Sequence, residues 1–401
     1  MPRTRPAVST AAPKVDERRA LKLILELLNF PGLPTHETQI MRYIEKRLRK
    51  ASAPAGSITF DTANKRSPAG GDIGNLIFKL PGTIAAPRRL LMGHVDTVPL
   101  CFGAKPVKRG EYIVSADPKT GLGGDNRSGA GAILYAALEI LEKKLPHPPL
   151  TFMWPVQEEI GLYGARFVDV KKLGNPKLCF NWDGGAPNRV IVGATGAYRM
   201  QIEVKGLASH AGVAPEKGVS AVAIAGLAIA DLTRNGWHGL VQRNGTRGTS
   251  NIGVVNGGDA TNVVTDRVAL KAEARSHNPK FRKTLMEQFR KAFSDAVKKV
   301  KSADGKRGSV NFHAELHYES FKLPESSPSV VEARRVISEM GLTPEICVAN
   351  GGLDANWLSA HGLPTVTLGA GQQEVHTVKE RLHLDSYYKG CTAALRLATA
   401  K

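Results

Sequence analysis

The sequence predicts an α/β protein with a mostly parallel sheet, interrupted by an inserted α+β domain of ferredoxin-like pattern. Three observations lead there. Short apolar segments alternate with helical stretches early in the chain and again near its end, as strands joined by helical crossovers do. A middle stretch changes texture and reads strand, helix, strand, strand, helix, strand. The 401 residues are enough for two domains of about 100–200 residues each.

The elements follow in order. Residues 1–18 read as a basic flexible tail. They hold no apolar core of the kind a secretory leader needs, so none is expected. An organelle-targeting segment is the alternative, because acids are confined to Asp16 and Glu17 in this region. Leu21–Leu28 is an apolar helical stretch stopped near Pro31-Gly32-Leu33-Pro34, and a second helix runs from about Glu37 to Arg49. Strands are expected at Asn75–Leu80, Arg89–Gly93, Leu150–Val156 and Lys177–Trp182, with an Ala-rich helix over Ser128–Lys144. From Gly196 the pattern alternates along Tyr198–Lys205, then gives a helix at Val219–Arg234 and strands near Asn251–Val255 and Arg267–Arg275. A basic helix at Lys280–Lys301 and a strand at Ser309–Phe321 close this part. After Pro324 come the helix Ser329–Met340, the segment Asn356–Ala360, the strand Thr365–Leu368 and the helix Ser386–Ala398. The first domain is therefore discontinuous, residues 1–194 and 322–401, with a second inserted at 195–321.

A net charge of +19 raises the question of a nucleic-acid partner. The densest basic stretch is Lys280–Arg307, but Phe281, Leu285, Phe289, Phe293 and Val297 recur through it every four residues. That periodicity makes it an amphipathic helix with a solvated basic face. Without aromatic interleaving, a zinc finger or an RNA-binding signature, no nucleic-acid partner is expected. No apolar run approaches the roughly 18 residues that span a membrane, so no membrane partner is expected either. Cys101, Cys179, Cys347 and Cys391 stand far apart without a C-x-x-C pair. This usage fits a reducing cytoplasm and argues against a thiolate metal site.

The chemistry-bearing residues collect where strands end. Arg89–Gly93 runs into His94-Val95-Asp96, Leu150–Val156 into Gln157-Glu158-Glu159, and Lys177–Trp182 into Asp183. The Gly-rich loop Gly121-Leu122-Gly123-Gly124 presents Asp125 just before the Ala-rich helix. In open α/β sheets ligands bind beyond the carboxyl ends of strands, and His nitrogen with carboxylate oxygen is the ligand set of zinc and similar ions. Singly, each is as readily an exposed Glu pair or a hydrogen-bonded strand-end His; together they point to a metal site. His94 and Asp96, two apart on an extended segment, face the same way, so Asp96 can orient the ring. The adjacent Glu158 and Glu159 point differently, so one can ligate while the other faces a metal-bound water.

These stretches resemble the M20 zinc peptidases, and within them the peptidase T-like group. The resemblance is carried by Gly93-His94-Val95-Asp96-Thr97-Val98, Gly124-Asp125-Asn126-Arg127-Ser128-Gly129, Gln157-Glu158-Glu159-Ile160-Gly161 and Asp183-Gly184-Gly185. It continues in Gly351-Gly352-Leu353-Asp354-Ala355-Asn356 and Val375-His376-Thr377. It implies a dizinc exopeptidase-like catalytic domain with an inserted lid and dimerisation domain, two Zn2+ per subunit (Co2+ or Mn2+ as alternatives) and a homodimer. His94 and Asp183 would hold one ion, Glu159 and His376 the other, with Asp125 bridging. Asp96 would support His94. Glu158 would be the general base on a metal-bridging water. The Asp125–Asn126 peptide bond would be cis.

In the inserted domain, Gly206-Leu207-Ala208-Ser209-His210-Ala211-Gly212 resembles the segment whose His reaches the neighbouring subunit's active site and stabilises an oxyanion. Asn262, Arg275 and Gly352 correspond to substrate-binding positions, Arg275 for a carboxylate. The implied activity is hydrolysis of short peptides by an aminopeptidase or tripeptidase-like exopeptidase. The alternatives are a deacylase of N-acyl amino acids with the same site, and a non-catalytic basic binding protein on the same fold. The C-terminal wording of the motifs departs from strict peptidase T. His313 and His317 lie in an alternating strand and are expected on a solvated face, while His361 and His383 are left without a role.

Overall fold

The computed structural model describes residues 14–399, so most of the basic tail lies outside the described residues. Backbone contacts divide the chain into two units. Residues up to 193, with 323–348 and 353–401, form the first; residues 194–322 with 349–352 form the second. The short segment 349–352, which carries Gly352, thus goes with the second unit although the sequence pattern places it in the first.

In the first unit the central sheet runs Ile58–Phe60, Leu76–Leu80, Leu150–Trp154, Arg89–Met92, Leu178–Trp182, Thr365–Leu368, Arg189–Ala194. From Leu150–Trp154 to Thr365–Leu368 the ladders are parallel. The flanking pairs are antiparallel. The parallel strands are largely apolar because both faces are covered: Leu90, Leu91, Met92, Phe152, Met153, Phe180 and Trp182 are all buried. Since these strands are parallel neighbours, the residues following each one emerge at the same sheet edge.

The helix Gly124–Lys143 lies on this sheet, buried over most of its length. Gly129 allows the approach: a Cβ there would stand 2.2 Å from the Trp182 carbonyl oxygen. The Asn126 amide donates to that same oxygen, and Trp154 Nε1 donates to Ala130 O at 3.1 Å. The helix start, with Asp125, is thereby pinned over the strand ends. The closing helix Leu384–Thr399 packs against it. A small sheet was not anticipated from the sequence: Gln372–Gln373, Arg381–His383, Tyr112–Ser115 and Pro106–Arg109. Its strands are too short to show a period; only Gly110, at φ 58°, marked the hairpin turn.

The second unit is a five-stranded antiparallel sheet in the order Gly239–Arg243, Thr246–Gly257, Arg267–Ser276, Gly196–Lys205, Ser309–Tyr318. The helices Ala221–Arg234 and Pro279–Lys299 pack together and against it. Ser220 and Asn278 cap them, accepting from Ala223 N and Phe281 N at 3.1 Å. Leu285, Phe289 and Phe293 join Ile202, Val204 and Ile224 in one core. This confirms the amphipathic reading of the basic helix. The edge strand Gly239–Arg243 adds to the expected pattern; its signal was Asn244-Gly245, both at positive φ, the hairpin dipeptide. His317 is buried rather than solvated, because the register shifts between Leu316 and Tyr318 and turns it inward. His313 is exposed.

Candidate metal centre

The side chains of the centre come from strand ends and a helix start of the first unit, except His376, which sits on the loop between Gln372–Gln373 and Arg381–His383. His94 and Asp96 follow Arg89–Met92, Asp183 follows Leu178–Trp182, and Asp125 opens the buried helix. Beyond Leu150–Trp154 the chain turns sharply at Gln157, at φ 57°. That residue is held on three sides. Its N–H donates to Glu37 Oε1 at 3.0 Å, its Oε1 accepts from Ser67 Oγ at 2.6 Å, and its Nε2 donates to Gly70 O at 2.7 Å. Glu158 and Glu159 come next, and their N–H groups donate to Asp96 Oδ1 and Oδ2, both at 3.0 Å.

His94 is buried and directed. Its Nδ1 lies 3.1 Å from the Asp96 main-chain oxygen, the partner of an Nδ1–H tautomer, which leaves the Nε2 lone pair free to ligate. Nε2 is 3.5 Å from Asp125 Oδ1 and 3.9 Å from Glu158 Oε2. The other oxygen of Asp125, Oδ2, is 3.3 Å from His376 Nε2, which is also 3.2 Å from Glu159 Oε2. The Asp125 carboxylate therefore faces one imidazole with each oxygen. Ligand atoms of His94, Asp125 and Glu159 lie within 4.8 Å of one another, as do those of His94, Glu158 and Asp183. The Asp125–Asn126 peptide bond is cis, as the resemblance implies.

The charges of these side chains bear on what the site can hold. Burial pushes the Glu158 and Asp183 carboxyls well above their ordinary range; His94 opposes this, and the other carboxylates around them reinforce it. The paired imidazoles hold Asp125 below its ordinary value against burial. His376 is raised to about 10, first by its hydrogen bonds to Asp125 and Glu159. Asp125 Oδ1 and Glu159 Oε1 are buried without a hydrogen-bond partner. Carboxylates crowded in this way require positive charge between them. Imidazole nitrogen with carboxylate oxygen suits divalent cations of zinc character, so these residues fit such ions.

Two further acids belong to the same neighbourhood and were given no role from the sequence. Asp354, in the first turn of the helix Asp354–Ala360, is fully buried and both its oxygens lack a hydrogen-bond partner. Burial raises it to about 7, with His94 opposing and Asp96 and Glu159 reinforcing. Its motif was visible, its placement was not. Glu37 is also fully buried, and burial followed by the nearby Asp96 raises it to about 8. Nothing in the sequence around it, at the start of an ordinary helix, signals a link to Gln157.

The remaining expected residues lie in the second unit. His210 and Asn262 are brought side by side there: His210 bridges to Val263, and Ala211 N donates to Asn262 O at 2.9 Å. His210 is exposed, with Nδ1 accepting from Gly212 N at 3.2 Å. Arg275 is forked onto Glu273, Nε to Oε1 at 2.9 Å and Nη2 to Oε2 at 2.8 Å. A Cβ on Gly352 would stand 2.4 Å from the Tyr318 ring, so the ring covers that backbone closely. Of the histidines left without a role, His361 Nε2 meets Arg166 O at 3.1 Å and His383 Nδ1 meets Ser386 Oγ at 2.8 Å.

Comparison with known proteins identifies the family. Residues 192–301 match the peptidase dimerisation domain of the M20 peptidases, and residues 75–216 match peptidase family M28. The latter span contains His94, Asp125, Glu158, Glu159 and Asp183. The chain is 32% identical over 376 residues to the uncharacterized protein YqjE of Bacillus subtilis, covering 94% of this chain and 96% of that one. A solved tripeptidase from Staphylococcus aureus superposes with a TM-score of 0.85 at 29% identity, over 96% of this chain and 99% of the other. The aminopeptidase PepT from Bacillus cereus does so with a TM-score of 0.80 at 30% identity, over 96% and 98%.

Proposed function

Because the chain belongs to the M20 family of peptidases, in its peptidase T-like group, we propose that it is an exopeptidase that hydrolyses amide bonds in short peptides at a centre of two divalent cations. Zinc is the ion the donor set suits best, with cobalt or manganese able to replace it. The observation that carries this reading is the Asp125 carboxylate, one oxygen toward His94 and the other toward His376, with Glu158 beside His94. In this assignment His94 and Asp183 would hold one cation, Glu159 and His376 the other, and Asp125 would serve both.

When bound, the cations would polarise the scissile carbonyl and lower the pKa of the attacking water. Glu158 accepts the proton at a carboxylate oxygen and passes it to the leaving amine. Asp96 fixes where Glu158 and Glu159 start, through their N–H groups. His210 donates to the developing oxyanion, Asn262 and Gly352 line the substrate, and Arg275 takes its carboxylate.

A homodimer with His210 supplied across the interface completes the reading; the match of residues 192–301 to a peptidase dimerisation domain supports it. No described helix is long and apolar enough to cross a membrane. The free thiols fit a cytoplasmic setting. The test is a substrate panel on metal-reconstituted protein: dipeptides, tripeptides, C-terminally amidated tripeptides and N-acyl amino acids. Chelation should abolish turnover, and a free-carboxylate tripeptide should be cleaved best. Preference for N-acyl amino acids would make the enzyme a deacylase and overturn the peptide assignment.

A further inference from the structure

The Gly-rich loop before Asp125 has an occupant. Glu380 is 3% exposed, and its carboxylate sits in the loop's backbone: Oε2 accepts from Leu122 N at 2.8 Å and Gly123 N at 2.7 Å, and Oε1 accepts from Asp125 N at 2.9 Å. Cys101 Sγ donates to Oε2 at 3.3 Å. Successive N–H groups converging on one anion form the kind of concavity that otherwise binds phosphate. Here a side chain of the same protein fills it. The glycines keep room for it: a Cβ on Gly121 would stand 3.1 Å from Glu380 Oε2 and 2.8 Å from Cys101 Sγ.

Glu380 also belongs to the loop that carries His376. Its own N–H donates to Thr377 O at 3.1 Å, and Thr377 Oγ1 donates to Glu374 O at 2.7 Å. His376 itself is held at φ 61°. One carboxylate thus ties the turn holding His376 to the turn holding Asp125, two segments about 250 residues apart in the chain, and His376 Nε2 lies 3.3 Å from Asp125 Oδ2.

We propose that Glu380 is a positioning residue which sets the Asp125–His376 separation, and so the affinity of the cation site those two residues share with Glu159. This inference rests on the two-cation reading above. Glu380 touches neither substrate nor reacting atoms. It acts by fixing the Asp125 amide and the His376 turn against one anchor, so the pair is preorganised before a cation arrives. A Gln there is nearly isosteric, but it offers one oxygen where the loop presents several N–H donors, and its NH2 group faces one of them.

The experiment compares wild type with Glu380→Gln and Gly121→Ala, the latter crowding Glu380 from the loop side. Zn2+ and Co2+ titrations under a competing chelator, thermal unfolding of the metal-free proteins, and kcat and KM on a tripeptide are measured. Both variants should bind one of the two cations about 10- to 100-fold more weakly. Metal-free unfolding midpoints should fall by no more than about 2–8 °C, the cost of one buried loop N–H losing its acceptor. kcat should fall at limiting metal with KM little changed, and excess metal should restore it. Wild-type affinity for both cations in Glu380→Gln would overturn the proposal. So would a metal-free Glu380→Gln protein that melts far below wild type, since Glu380 would then support the fold in general. A wild-type protein that binds fewer than two cations would instead remove the reading on which the inference rests.

Discussion

Asp96 Oδ1 accepts the main-chain N–H of Glu158 at 3.0 Å, while Oδ2 accepts that of Glu159 at the same distance. Its carboxylate also lies 3.5 Å from His94 Nδ1, but the shorter contact of that nitrogen, at 3.1 Å, is to the Asp96 main-chain oxygen. The Asp96 side chain therefore serves the Glu158-Glu159 turn at least as directly as it serves His94. The acid expected to orient the imidazole also places Glu158, the proposed general base.

Replacing Asp96 separates these duties. Asp96→Ala leaves two buried N–H groups without acceptors, each costing about 1–3 kcal/mol. Folding stability should fall and cation affinity should drop about 10- to 100-fold. Asp96→Asn keeps an acceptor for one of the two N–H groups and should fall between Ala and wild type. Denaturant unfolding and metal titration read both effects. Wild-type turnover in Asp96→Ala would show that the turn holds itself.

Glu158→Ala should lose about 10²- to 10⁴-fold in kcat while the protein keeps its metal. Elemental analysis beside steady-state kinetics on a tripeptide checks this. Normal turnover would remove Glu158 as the base; lost metal would make it a ligand, which its place with His94 and Asp183 makes a concrete alternative outcome.

His210→Ala should lower kcat by about 10²- to 10³-fold, as loss of an oxyanion donor does, with metal content unchanged. If His210 acts across a dimer, mixing inactive Glu158→Ala and His210→Ala proteins and allowing subunit exchange should recover activity. One mixed site then holds both intact residues. No recovery despite demonstrated exchange would place His210 in its own subunit's site or outside catalysis.

Glu37 gives a pH signature. Its carboxyl is raised from 4.5 to about 8 in the folded protein, so between those values the folded state holds a proton the unfolded chain has released. Stability therefore declines as pH rises through that window. Glu37→Gln keeps an acceptor for Gln157 N–H and removes the titration. The metal-free variant should gain stability over wild type progressively from pH 5 to pH 8. Parallel unfolding midpoints for the two proteins across that range would refute the assignment.

The legible parts share a property. His94, Asp183 and the Glu158-Glu159 pair each stand just past a short apolar strand, so local pattern alone brings them to one sheet edge once the strands are parallel neighbours. The basic helix Pro279–Lys299 was legible for the same reason, because its four-residue apolar repeat is a local signal. The strands of the small sheet, two to four residues each, such as Arg381–His383, carry neither a period nor a buried apolar run and stayed hidden.

Sequence by itself determined the candidate ligand types, their strand-end positions and the two-part fold, because apolar periodicity and chemical identity are properties of neighbouring residues. Tertiary structure alone decided which distant carboxylates support them. Glu37 reaches Gln157, Asp96 reaches Glu158, and Glu380 reaches Leu122, Gly123 and Asp125. Each is a buried acid that accepts from backbone N–H groups far along the chain, in surroundings that elsewhere would read as a solvated charge. Burial is created only when the segments close over one another, and burial is what turns an ordinary Glu or Asp into a fixed point for the metal centre.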